Sequence, residues 1–183
     1  GRRSNISMTV STIRVNPFFT ASTLPFQAPP FDEIEEGDFQ PAIEEGMRLQ
    51  IAEVAAVIDN PAPPTFENTI VALERSGELL NRALHVFSAI TGANTSDALQ
   101  KVQEDEAPLL AAHEDAIFLD RRLFDRVEQL YNQRDALDLD AESSKLLDWY
   151  YNDAFVLRGA RLSESDKAKL KQLNKEASTL ETA

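Results

Sequence analysis

The chain carries two histidines and no cysteine, so side chains able to hold a transition metal or move a proton near neutral pH are scarce. His113 is followed by Glu114, which opens like the H-E-x-x-H helix motif. There, two histidines one turn apart bind zinc and the glutamate takes a proton from the bound water. The fifth position here is Ile117, so the second ligand is missing. His113 stands among Leu109, Leu110 and Ile117 and reads better as a packed or partly exposed histidine. His85 falls between Asn81 and Ser88, on the polar side of an expected helix, and reads as a surface or hydrogen-bonded residue. Asp138, Asp140 and Glu142 begin like a calcium loop. Ser143 replaces the turn glycine and Trp149 the closing carboxylate, so the loop fails. Glu104, Asp105 and Glu106 are neighbours on an expected helix and point in different directions. The six glycines are scattered singly, which leaves no phosphate-cradling loop. No catalytic or metal-binding residue is assigned in this chain, and its substrate-binding residues are left open.

The elements that would position any site are helical. Residues 16–37 hold Pro17, Pro25, Pro29 and Pro30 together with Phe18, Phe19, Phe26 and Phe31. Such a stretch is expected to be extended and to wrap across helices, with its phenylalanines as anchors. Asp38 should cap a first helix, with Pro41 in its first turn and Phe39, Ile43, Met47, Ile51, Val54 and Ile58 facing inward. Pro61, Pro63 and Pro64 form a stiff connector, after which Thr65 caps a second helix running to about Gly92. Along it Phe66, Ile70, Leu73, Gly77, Leu80, Leu84, Phe87 and Thr91 step by four and three without a slip. Leu79, Ala83, Val86 and Ile90 form a second stripe beside the first.

A third helix starts after Thr95 or Ser96 and must kink or restart at Pro108. A short one comes next, near 120–134. Asp140 caps another, which carries Leu146, Leu147, Tyr150, Ala154 and Leu157 inward and stops at Gly159. Ser163 and Asp166 resemble a capping box for a last helix bearing Leu170, Leu173, Ala177 and Leu180. Only Val10–Val15 alternates like a strand. The fold class is therefore all-α: antiparallel helices in a bundle of hairpins behind a Pro/Phe-rich extended segment. Residues 1–15 read as a poorly ordered leader, 16–37 as the wrapping segment and 38–183 as a helical domain or part of a larger protein. Arg2 and Arg3 do not make a twin-arginine signal, because no apolar run comes after them.

Eighteen basic against 31 acidic residues give a net charge of −13, which argues against nucleic acid or an anionic membrane as partner. No apolar run is long enough to cross a bilayer. The absence of cysteine fits a reducing compartment, so the cytoplasm is expected, with the periplasm as the alternative. Between Asp32 and Asp115 the basic residues are Arg48, Arg75, Arg82 and Lys101 alone. The plain reading is a solvated acidic face; the sharper one is that Glu35, Glu36, Glu44 and Glu45 line a cavity that favours cationic peptides.

Several phrases resemble one family. They are P-T-F-E-N-T-I at Pro64–Ile70, A-L-E-R-S-G-E-L-L at Ala72–Leu80, S-T-L-P-F at Ser22–Phe26 and P-P-F-D-E-I at Pro29–Ile34. D-F-Q-P-A from Asp38, E-G-M ending at Met47, L-F-D-R-V from Leu123 and F-V-L-R-G-A-R-L from Phe155 continue in order. As a set they resemble the N-terminal region of the thimet-oligopeptidase-type zinc metallopeptidases, most closely the bacterial dipeptidyl carboxypeptidase branch. The resemblance implies an N-terminal helical wall or lid over a channel, in an enzyme that releases dipeptides from the C-termini of short peptides. Zinc would belong to the full-length parent, with its motif far beyond Ala183 and none in this chain. The chain is then expected to be an inactive piece whose partners are the remainder of the parent and short peptides. Its terminal helices would self-associate if left uncovered. An endopeptidase relative and a noncatalytic acidic helical module binding a basic partner are the alternatives.

Overall fold

A proline in the first turn and an apolar stripe of helical period start the first long element where they should, at α1 (Phe39–Ile58). The computed structural model describes residues 13–182, and among these every regular element is helical. After the proline connector comes a π-helical stretch, Phe66–Val71, that leads into the short α2 (Ala72–Arg75). Next are α3 (Glu78–Ala93), α4 (Asp97–Phe118) and α5 (Arg121–Asn132). The α6 helix (Ala141–Trp149) passes directly into a second π-helical stretch, Tyr150–Val156, and α7 (Glu164–Glu181) closes the described chain. The hydroxyls of Thr65, Ser96 and Ser163 and the Asp120 and Asp140 carboxylates each accept a first-turn amide, so local capping marks most helix starts.

Two cores are strung along α1. Its first half supplies Phe39, Ala42 and Ile43 to one, which they share with Phe18, with Leu80, Ala83, Val86 and Phe87 of α3, and with Leu99 of α4. Its second half supplies Val54 and Val57 to the other, built mainly from α5, α6 and the π-helical stretches, with Phe124, Leu130, Leu147, Tyr151 and Phe155 at its centre. Gly46 opposes Leu80 while Gln50 meets Ser76, so α1 and α3 run antiparallel. Glu36 meets Ser96 and Gln50 meets His113, so α4 returns parallel to α1.

Several expectations are corrected. The second helix is not continuous. Gly77 takes φ 75°, in the left-handed region, and divides the seam into a π-helical and α2 piece and a separate α3. A four-three apolar period survives such a break because each side keeps its own inward face. Pro108 does not restart its helix as a new first turn: α4 runs through it, and Glu104, whose carbonyl loses a partner, is exposed to water. Of the four phenylalanines expected as anchors only Phe18 is buried, while Phe19, Phe26 and Phe31 are exposed. The segment 16–37 is tied mainly by polar contacts and short 3-10 turns instead. Ile51 and Leu157, expected inward, are exposed, as are Leu173 and Leu180 of α7.

The expected leader and the alternating run Val10–Val15 fall largely on residues 1–12, outside the described residues. Within the described part, Arg14 is firmly held. It donates to both Asp38 oxygens at 2.6 and 2.7 Å and to the Glu33 carbonyl at 2.6 Å. The Arg14 guanidinium keeps the buried Asp38 carboxyl below its usual range. Asp38 in turn accepts the Glu35 amide instead of bonding inside α1, so its expected role as a simple side-chain cap is not realised.

A methyl group on Gly46 would lie 2.7 Å from the Leu80 Cα and 2.8 Å from its amide nitrogen, so the two backbones are in contact. Gly46→Ala is therefore expected to destabilise the chain by about 1–3 kcal/mol, despite alanine's better helix propensity. Gly92→Ala, where nothing lies within 4 Å, should be neutral or slightly stabilising. Chemical denaturation of both variants checks the pair.

Candidate functional site

A groove of about 870 Å3 runs between α1 and α3. Its floor is apolar, with Phe18, Pro41, Leu49 and Leu79, and its rim carries Glu44, Glu45, Glu53 and Glu78. Two cations interrupt that rim. Arg48 is held by Glu45 at 2.5 and 2.8 Å, and Arg82 turns away to the Phe18 carbonyl and, at 3.5 Å, to Glu78. The expected acidic cavity is thus only half as read. Glu44 and Glu45 line the groove, but Glu35 pairs with Arg14 at 3.2 Å and Glu36 accepts the Ser96 hydroxyl at 2.8 Å. Glu53 and Glu78 were missed by sequence reasoning, because they come from different helices and meet only at Gly77, whose amide donates to Glu53 at 3.5 Å. A helical-wheel alignment of α1 against α3 pivoted on Gly46 would have found them.

A second, smaller cavity of about 290 Å3 opens where α1, α2, α3, α4 and α6 converge. Leu80, Leu84, Leu110 and Ile117 line it, together with the half-exposed Trp149. Its polar groups come from separate elements. The Tyr150 hydroxyl donates to the Glu74 carboxylate, and His113 Nε2 sits 2.7 Å from Gln50 Oε1. Gln50 donates onward to the Ser76 hydroxyl, which donates to the Leu73 carbonyl. Burial holds His113 below its ordinary value, favouring the neutral ring. Burial first, then the adjacent carboxylate, keep the Tyr150 hydroxyl protonated well beyond its usual range.

The remaining candidates separate. His85 is exposed on α3, and Glu114 pairs with Arg158 at 2.6 Å. Asp140 accepts the Ser143 amide as the α6 cap, while Asp138 takes a positive φ in the preceding turn. Glu104 accepts from Gln100 and Asp105 pairs with Lys101, whereas Glu106 turns inward. No cluster of three or more His, Cys, Asp or Glu able to hold a metal exists among the described residues. The donors present do not fit zinc: the one buried histidine is engaged by Gln50, and no second imidazole faces it. No described helix is long and apolar enough to cross a membrane.

No family model matches the chain. It is 48% identical over 166 residues to the dipeptidyl carboxypeptidase of Escherichia coli (strain K12), an alignment covering 91% of this chain and 24% of that protein. It is 47% identical over 165 residues to the dipeptidyl carboxypeptidase of Salmonella typhimurium (strain LT2), covering 90% and 24%. Oligopeptidase A of Haemophilus influenzae is 26% identical over 157 residues, covering 82% and 23%. The resemblance read from the sequence holds along nine-tenths of the chain, which spans about a quarter of the length of the curated relatives it matches.

Glu106 supplies a titration that the sequence did not signal. Both its oxygens are buried without a hydrogen-bond partner, and Glu44 and Gln40 of α1 face it. Burial, reinforced by Glu44, pushes the carboxyl up from 4.5 to about 7. Between those values the folded chain binds more protons than the unfolded one. Glu106's contribution to stability is therefore full below pH 4.5 and falls as pH rises toward 7. His113 acts in the opposite sense on the acid side, so the variant-minus-parent curve isolates Glu106. Glu106→Gln should flatten the decline and stabilise the chain by about 1–3 kcal/mol at pH 8. Urea midpoints between pH 4.5 and 8 check this; an unchanged slope contradicts it.

Proposed function

We propose that the chain is the N-terminal helical part of a zinc peptidase that releases dipeptides from the C-termini of short peptides. The observation that carries this is the 48% and 47% identity to two dipeptidyl carboxypeptidases over nine-tenths of the chain. In this reading zinc and its ligands lie in the rest of the parent polypeptide, where the metal would activate water. This chain's residues then bind and orient rather than react. The α1–α3 groove, apolar below and acidic at its rim, is suited to an extended peptide backbone and its cationic side chains. That supports a role as channel wall or lid.

The exposed leucines of α7, Leu173 and Leu180, support a second part of the reading. We assign that face to the remainder of the parent, since apolar stripes left in water favour association. The chain alone would then self-associate through α7. A related endopeptidase is the second reading, and the weaker similarity to an oligopeptidase A favours it. The cytoplasm is the compartment proposed, with the periplasm as alternative.

The intact parent, incubated with short unstructured peptides, is expected to liberate C-terminal dipeptides, to lose that activity to a chelator and to regain it with zinc. Internal cleavage without dipeptide release would favour the endopeptidase reading. Residues 1–183 alone should cleave nothing; metal-dependent cleavage by them would contradict the assignment.

A further inference from the structure

The smaller cavity has a charge that nothing balances. Glu74 lines it, accepts the Tyr150 hydroxyl and has no ion-pair partner among the described residues. Arg158 and Glu114 also line the cavity, but they pair with each other at 2.6 Å, and Arg158 lies over the Phe118 ring at 4.6 Å. His113 is held neutral by burial, so it does not compensate either. The cavity is therefore a slot of mixed apolar and polar lining with a net negative wall. A volume of about 290 Å3 sits at the lower end of ligand pockets, enough for one long side chain rather than a folded ligand.

The two π-helical stretches of the described residues adjoin this slot. The π-helical stretch Phe66–Val71 lies just before Leu73 and Glu74, and the stretch Tyr150–Val156 begins at the residue that holds Glu74. A π turn inserts a residue into the helical register and re-aims the side chains after it, which is why such turns concentrate at binding sites. Trp149, set edge-on to Tyr150 at 5.0 Å, contributes an aromatic surface 46% exposed.

We infer that this cavity is a binding subsite for a single basic side chain of a peptide, arginine or lysine. The aliphatic stem would lie against Leu80, Leu84 and Leu110, the cationic head would meet Glu74, and Trp149 would cover it through its π face. The Tyr150 hydroxyl, as donor, fixes the carboxylate and leaves acceptor capacity free for the guest. This subsite rests on the peptide-binding reading above and adds to it the class of side chain bound. Binding is measured on this chain alone, so its failure is separable from failure of dipeptide release.

Trp149 is the sole tryptophan, which makes the slot its own reporter. Titration of the chain with Nα-acetyl-arginine amide is expected to give a saturable change in tryptophan emission. Nα-acetyl-norleucine amide, of similar stem but neutral, should bind at least tenfold more weakly. Glu74→Gln, at an exposed position, should lose about tenfold in affinity for the arginine probe with its helical circular dichroism unchanged. Glu142→Gln, exposed in the first turn of α6, should bind as the parent does. Equal binding of the two probes, an unaffected Glu74→Gln variant, or no saturable change with arginine would each overturn the inference.

Discussion

The approach of α1 to α3 at Gly46 and Leu80 is the contact on which the rest of the molecule depends. With no side chain at Gly46, the two backbones close to van der Waals distance. The groove is shaped on one side of that crossing, where Leu49 and Leu79 form its floor. On the other side Gln50 reaches Ser76 and His113, setting the back of the smaller cavity. Because α1 continues from this crossing into the second core through Val54 and Val57, one rigid rod joins both halves. A wider crossing would open both sites at once.

Much of the architecture was legible in the residues. Polar caps ahead of apolar residues at three- and four-residue steps located most helix starts, and Gly159 marked the end of the π-helical extension of α6. The break at Gly77 was hidden, because a heptad-like period carries through a left-handed glycine without losing its inward face. The exposed Phe26 and Phe31 misled because aromatic content reports affinity for an apolar surface, not whether this chain provides one. Of the candidate sites, the zinc and calcium patterns are incomplete in the residues themselves, at Ile117, Ser143 and Trp149. Glu44 and Glu45 were named and Tyr150 was placed inward, but Glu53, Glu78 and Glu74 were not singled out, nor was the pairing of Tyr150 with Glu74. Their juxtaposition spans separate elements and has no local signature.

The charge distribution explains how so acidic a chain stays folded. Three arginines act as staples rather than as surface solubilisers. Arg14 clasps Asp38, Arg82 reaches the Phe18 carbonyl, and Arg126 donates to the Asn60 and Ala62 carbonyls and to Asn68, fastening the proline connector to α5. Each pins an irregular segment whose backbone groups no helix would satisfy. Glu44 and Glu53 stand without an ion pair among the described residues on the α1–α3 groove, beside Glu45 and Glu78, which hold Arg48 and Arg82, while Lys167, Lys169, Lys171 and Lys175 lie on α7. Within α7 these lysines are matched by Glu164, Asp166, Glu176 and Glu181, so the last helix is near neutral while the groove rim is acidic.

Native-state hydrogen exchange resolved by residue tests most directly whether α1 unites the two cores. The account predicts that the amides of Ile43 to Val57 share one opening free energy with those of Leu80 to Phe87 and Phe124 to Leu130, close to the global value. Exchange of the α1–α3 core in a separate block from the α5–α6 core, with α1 divided between them near Gly46, would contradict it.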